Sequence, residues 1–156
     1  MKICVVLVTF NRKRELEKTL GVYEAQTAKP CAIVVVDNHS TDGTAALLAD
    51  WERQSDSIRH VLVSMPENVG GSGGFYAGME KALTLDCDWI FVSDDDALPR
   101  TDTLERLIAF CESAWYYEGD KWIWEFTIPE GSTASVTLPG EHEATLYQSG
   151  SYKIVR

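Results

Sequence analysis

Three consecutive carboxylates, Asp94-Asp95-Asp96, follow almost directly on the apolar run Trp89-Ile90-Phe91-Val92. A β-branched and aromatic run bounded by polar residues reads as a buried central strand, so the sequence predicts an acidic cluster where a strand reaches the surface. Adjacent carboxylates repel one another, and a hard divalent ion, Mn²⁺ or Mg²⁺, is the expected counter-charge. Open α/β sheets bind ligands at the carboxyl ends of their strands, and two further runs end in polar residues of the right kind. Thr9 closes the first run and Asp37 the second. A carboxylate at such a position accepts hydrogen bonds from a pyrimidine imide N–H or from ribose hydroxyls. A lone Asp there is more often a turn residue, and it is the convergence of several strand-end motifs that favours a nucleotide.

Two further segments carry chemistry. Asn68-Val69-Gly70-Gly71-Ser72-Gly73-Gly74-Phe75 holds four glycines in five residues, read here as a glycine-dense turn whose amides approach a diphosphate because no side chain blocks them. It has neither the lysine of a phosphate-binding loop nor the ribose acid of a dinucleotide fingerprint, and by itself it reads more readily as a tight structural turn. Arg12-Lys13-Arg14 places basic residues in a first helical turn, where they oppose the macrodipole unless an anion lies nearby; the alternative is a solvated helix face.

The elements that must position these residues alternate. Strands are predicted over 3–9, 32–37, 61–64 and 89–92, with helices after Asn11 as N-cap, over 45–51, and after the glycine segment with Phe75, Met79, Ala82 and Leu83. Strand and helix in alternation with short loops predict a mostly parallel sheet with right-handed crossovers, a Rossmann-like α/β fold. A further helix, capped by Thr101 or Asp102, is expected to turn Leu104, Leu107, Ile108 and Cys111 inward and to end near Ser113. From Trp122 the pattern changes to period two. Trp122, Trp124, Phe126 and Ile128, the turn Pro129-Glu130-Gly131, and Ala134, Val136 and Leu138 predict a hairpin, with a turn at Pro139-Gly140 and two more strands around Ser149-Gly150. The expected division is an α/β domain over 1–113 and a small β-rich segment over 114–156.

Composition bounds the partners. The chain has 156 residues, 45% hydrophobic and 24% charged, with a formal net charge of −10. That size buries one core and a small appendage, and the charge excludes nucleic acid as an expected partner. No apolar stretch is long enough to cross a bilayer and no signal-peptide cleavage region follows Met1, so a cytoplasmic protein, at most peripheral to a membrane, is expected. Cys4, Cys31, Cys87 and Cys111 are scattered, which predicts free thiols rather than disulfides or a zinc site.

Val8-Thr9-Phe10-Asn11-Arg12, Val36-Asp37-Asn38-His39-Ser40-Thr41-Asp42-Gly43-Thr44, the glycine segment and Ser93-Asp94-Asp95-Asp96-Ala97 together resemble, in order and spacing, the family-two glycosyltransferases of GT-A fold. The glycine segment is most similar to the galactofuranosyl- and rhamnosyltransferase branch. The resemblance covers about residues 1–113 and implies a UDP- or dTDP-sugar donor, a glycan or lipid-linked acceptor and inverting transfer by direct displacement. It implies that Thr9 and Asp37 bind pyrimidine and ribose, and that Asn11, Arg12, Asn68, Gly70, Gly71 and Gly74 lie near the diphosphate or donor sugar. Asp94 and Asp96 would form the metal-binding Asp-x-Asp, with Asp94 also at the ribose or sugar and Asp95 touching the donor sugar; all three are the expected catalytic carboxylates.

The chain departs from that family after Ser113. Neither the acidic base motif of the acceptor half nor the later histidine of the metal shell follows, and Glu141-His142-Glu143 reads as a solvated turn. Instead, the stretch from Trp124 to Pro139, with Gln148-Ser149-Gly150-Ser151-Tyr152, resembles the C-terminal β-sandwich tail of bacterial α-L-rhamnosidases, which implies a structural unit without catalytic residues. Two alternatives to the transferase reading stand: a truncated or chimeric nucleotide-sugar-binding module lacking the acceptor half, and an assembly module in which Trp122, Trp124 and Phe126 mediate homo-oligomer formation.

Overall fold

A computed structural model describes residues 1–54, 57–111, 113–128, 130–138 and 142–156, with the backbone alone at 110, 111 and 113–115. The expected turn at Pro139-Gly140, residues Pro129 and Glu141, and the inward side chain of Cys111 lie outside the described residues. The chain divides into two compact units, Met1–Leu104 and Glu105–Arg156.

The first unit is a four-stranded parallel sheet, β1 (Ile3–Thr9), β2 (Ala32–Asp37), β3 (Arg59–Ser64) and β4 (Trp89–Asp94), in the order β3-β2-β1-β4. The two central strands are almost wholly buried, which accounts for their unbroken Val and Ile content. Helices α1 (Lys13–Glu24) and α2 (Thr44–Arg53) follow β1 and β2, and α3 (Gly70–Ala82) follows β3. Tyr23 of α1 packs on Phe91 with ring centroids 6.3 Å apart, and Trp51 of α2 stacks on His60 of β3 at 4.1 Å. Phe91 and His60 pair with Val5 and Ile33 in register, so α1 and α2 share one face. Helix α3 lies on the other, over Val6, Val8 and Val36.

Glycine makes that second layer possible. A Cβ at Gly78 would stand 2.4 Å from Val6 Cγ1, and one at Gly74 would stand 2.6 Å from Val8 Cγ1. The glycine-rich segment is therefore the first turns of α3 rather than the loop expected from its composition. Its buried stripe is Gly74, Gly78 and Ala82, whereas Met79 and Leu83 face outward. Close helix-to-sheet approach outweighs the cost of about 1 kcal/mol for each glycine in a helix.

Two other expectations are corrected. The run 89–92 belongs to an edge strand, β4, with Trp89 and Val92 about half exposed, rather than to a central one. The N-cap of α1 is Arg12, not Asn11. Asn11 adopts the left-handed conformation (φ 54°), and its side-chain oxygen accepts the Thr41 N–H at 2.7 Å. Helix α4 (Thr103–Cys111) has the Leu104 N–H donating to Gln26 Oε1 at 3.0 Å, a cap supplied from a distant part of the chain.

In the second unit, β6 (Lys121–Ile128) lies between β5 (Ser113–Glu118) and β9 (Gly150–Val155), and β7 (Ala134–Val136) pairs with β8 (Thr145–Tyr147). The hairpin expected between β6 and β7 is replaced by this pairing, and β5 had no period-two signal to announce it. Phe126 packs on Trp124, Tyr147 and Tyr152, with centroids 4.3, 5.3 and 5.4 Å away. The cover that the aromatic strand was expected to seek from another copy is thus partly met within the unit.

Candidate functional site

Strand order decides where a site can form. The chain runs outward from β1 through β2 to β3, then α3 carries it back across the opposite face to β4 on the other side of β1. The order reverses between β1 and β4, and a crevice opens at the carboxyl ends of strands at such a switch point. A cavity of about 300 Å³ lies there, lined by Val8, Thr9, Phe10, Arg12, Asn38, Asn68, Gly70, Gly71, Phe75, Asp94 and Asp95.

Register brings the strand-end residues to a single rim. Thr9 pairs with Asp37 and Val8 with Asp94, so Asp37, Thr9 and the acidic triplet end three adjacent strands side by side. Asp37 is buried and its Oδ1 accepts the Ser40 N–H at 2.9 Å. Gly74 is not among the cavity-lining residues and packs against Val8. Asn11 points its side chain at the neighbouring loop, accepting from Thr41.

The three aspartates differ in kind. Asp95 is buried; its Oδ2 accepts the Thr9 hydroxyl at 2.7 Å, and its backbone carbonyl accepts the Thr19 hydroxyl at 2.8 Å. Burial pushes its carboxyl above the ordinary range, against the opposing pull of the Thr9 hydrogen bond and the Arg12 charge. Asp96 is half exposed and pairs with Arg12 Nη2 at 2.7 Å, while Arg12 Nη1 stands 3.6 Å from Asp95 Oδ1. Asp94 ends β4 and lines the cavity. The repulsion expected to demand a metal is thus met in large part by the chain's own Thr9 and Arg12. The anions expected near the basic first turn of α1 are likewise internal: Asp95 and Asp96 for Arg12, and Asp42, whose carboxylate accepts the Lys13 N–H at 3.0 Å.

Among the described residues no group of three or more His, Cys, Asp or Glu side chains is arranged to hold a metal. Asp94 and Asp96 offer hard oxygen donors, a set that fits Mg²⁺ or Mn²⁺ when substrate phosphates and water complete the shell.

Asn38, buried at the end of β2, was not singled out from sequence. Its Nδ2 donates to Asn68 Oδ1 (2.9 Å) and Gly70 O (3.1 Å), and its Oδ1 accepts the Val69 N–H (3.0 Å). Asn68 Oδ1 in turn accepts the Gly70 N–H at 2.9 Å. These bonds tie the N-terminus of α3 to the sheet and hold Gly70 at φ 74°, a left-handed conformation that glycine adopts freely. The following first-turn amides, including that of Gly71, have no acceptor within the helix. The signal for Asn38 in the sequence was its place directly after a strand-end acid.

The sheet and its switch-point crevice have the GT-A class of α/β fold, which solved glycosyltransferase structures share. The chain belongs to glycosyl transferase family 2, whose model matches residues 4–118; that of the bacterial alpha-L-rhamnosidase C-terminal domain matches residues 110–153. The galactofuranosyltransferase GlfT1 of Mycolicibacterium smegmatis is 32% identical over 109 residues, covering 70% of this chain and 34% of that enzyme. The GalNAc(5)-diNAcBac-PP-undecaprenol beta-1,3-glucosyltransferase of Campylobacter jejuni is 30% identical over 98 residues, covering 62% of this chain and 30% of that enzyme. Among solved structures, the mannosyltransferase PcManGT of Pyrobaculum calidifontis, in complex with GDP-Man and Mn²⁺, superposes with a TM-score of 0.60 at 26% identity, covering 69% of this chain and 31% of that one. The chain spans about a third of the length of these curated relatives. Among the described residues no helix is long and apolar enough to cross a membrane.

Proposed function

We propose that the Met1–Leu104 unit binds a UDP- or dTDP-sugar together with Mn²⁺ or Mg²⁺ and supports inverting transfer of the sugar to an acceptor hydroxyl. The observation that carries this reading is the register that sets Asp37, Thr9 and Asp94 side by side at the switch point. Asp37 is the acceptor for a pyrimidine imide or ribose hydroxyl, and Thr9 acts at that end through Asp95. Half-exposed Phe10, at the cavity wall, offers a ring to the base. Arg12, Asn68 and the amide of Gly71 lie where a diphosphate would be neutralised by a guanidinium and a helix N-terminus. Asp94 and Asp96 would hold the cation, which supplies electrostatic stabilisation of the departing diphosphate.

A glycan or lipid-linked acceptor fits the family and the undecaprenol-linked glycan in the name of the Campylobacter relative. The base that deprotonates the acceptor is assigned to no residue of this chain, since family members take it from a later segment. A second reading, a nucleotide-sugar-binding module that hydrolyses donor slowly without transferring it, is supported by the match of residues 110–153 to the bacterial alpha-L-rhamnosidase C-terminal domain.

A thermal-shift panel tests class and donor together. UDP, dTDP and GDP, each with Mn²⁺ and with EDTA, are compared on the wild type and on Asp96→Ala. A pyrimidine nucleotide is expected to raise Tm with Mn²⁺ and not with EDTA, and Asp96→Ala to abolish the metal-dependent part. Equal shifts with and without chelator, or a preference for GDP, would overturn the assignment.

A further inference from the structure

We propose that Arg12 is a built-in stand-in for the divalent cation, so that cation and guanidinium compete for Asp96 and the donor's diphosphate is what moves Arg12 aside. The inference rests on the proposed nucleotide-sugar site and adds its order of assembly. Arg12 Nη2 lies 2.7 Å from Asp96 Oδ2 and Nη1 lies 3.6 Å from Asp95 Oδ1, so one side chain offsets two carboxylates of the triplet. A doubly charged ion seated on Asp96 would stand within a few ångströms of that guanidinium, where like charges repel strongly.

The pair is built to separate. The side chains of Arg12 and Asp96 are 45% and 49% exposed, and a half-exposed ion pair is weak enough to exchange partners. Asp95 stays in place through its bonds with Thr9 and Thr19. The backbone of residue 12 is also fixed, because its carbonyl accepts the Leu16 N–H at 3.0 Å and the preceding Asn11 N–H donates to Ser40 Oγ at 2.9 Å. Motion is left to the Arg12 side chain. It lines the same cavity as Asn68, Gly70 and Gly71, so a guanidinium leaving Asp96 meets a diphosphate there without leaving the pocket. The fork of a guanidinium suits carboxylate and phosphate alike. A nucleotide diphosphate therefore supplies an anion for Arg12 and oxygen ligands for the cation in one step, and binding of each strengthens the other reciprocally.

The test measures Mn²⁺ binding to the full chain from the electron paramagnetic resonance signal of free Mn²⁺, with and without UDP. Wild type, Arg12→Gln, Arg12→Lys and Arg14→Gln are compared; the last removes an equal charge from an exposed position on the same helix. Arg12→Gln is expected to bind Mn²⁺ alone about five-fold tighter than wild type, the factor set by a half-exposed ion pair. Arg12→Lys and Arg14→Gln should stay near wild type, and UDP should tighten Mn²⁺ by a smaller factor in Arg12→Gln than in wild type. No gain in Arg12→Gln, or an equal gain in Arg14→Gln, would overturn the competition while leaving the nucleotide site intact. Failure of wild type to bind Mn²⁺ even with UDP would overturn both.

Discussion

At the amino end of the four-stranded sheet, the Lys2 N–H donates to Asp88 Oδ2 at 2.6 Å and its ammonium pairs with Asp86; at the carboxyl end, Arg12 pairs with Asp95 and Asp96. Both rims match carboxylates with a basic side chain, and both sit beside β1 and β4. They differ in what lies beneath. At the amino end the charges are solvated, and Cys31 and Cys87 pack against the apolar cluster that contains Cys4. At the carboxyl end one carboxylate is buried, its oxygen held by Thr9, and a cavity opens over it. A count of acidic partners about the basic residue, two at each end, would rank the rims alike. The buried, hydrogen-bonded carboxylate beside a concave surface separates them, because such a group persists only where its surroundings over-determine it.

The largest expected effect comes from removing that group. Asp95→Ala leaves the Thr9 hydroxyl without its acceptor and should cost about 2 kcal/mol in urea unfolding, the scale of a buried hydrogen bond to a charged partner. A loss no larger than that of a solvated aspartate would erase the contrast between the rims. A smaller effect is expected at the amino end between pH 9 and about 10. Burial pushes the Cys4 thiol up to about 12 from an ordinary value of 9.0. The unfolded chain therefore loses this proton first, and stability falls as pH rises from 9 towards about 12. Melting temperatures taken above pH 9 should decline less steeply in Cys4→Ala than in wild type. The smallest effect is Asp86→Ala, which removes a solvated partner of Lys2 and should change stability by less than about 0.5 kcal/mol. A larger loss would mean that the amino rim is more constrained than its exposure indicates.

The central strands were legible in the sequence, since runs 3–9 and 32–37 carry enough β-branched residues to set their own limits. The rim that they form was legible too, because Thr9 and Asp37 stand at their ends. The start of α3 was hidden by its glycines, whose helical state is fixed by contact with Val6 and Val8 rather than by local preference. The four-residue spacing of Gly74, Gly78 and Ala82 was the available clue. The partition of labour among the three aspartates could not be read, because the bonds Thr9–Asp95 and Arg12–Asp96 join residues 86 and 84 positions apart. Strand β5 escaped notice because Ala114-Trp115-Tyr116-Tyr117 shows no alternation.

The loops after β1 and β2 are stitched to each other by the Asn11 N–H on Ser40, the Thr41 N–H on Asn11 and the Lys13 N–H on Asp42, with Asn11 and His39 both in left-handed backbone. For anyone recombining this scaffold with its relatives, the two segments are one inheritable part. Exchanging either alone strands three donors and their acceptors, whereas a paired exchange carries the whole seam across intact.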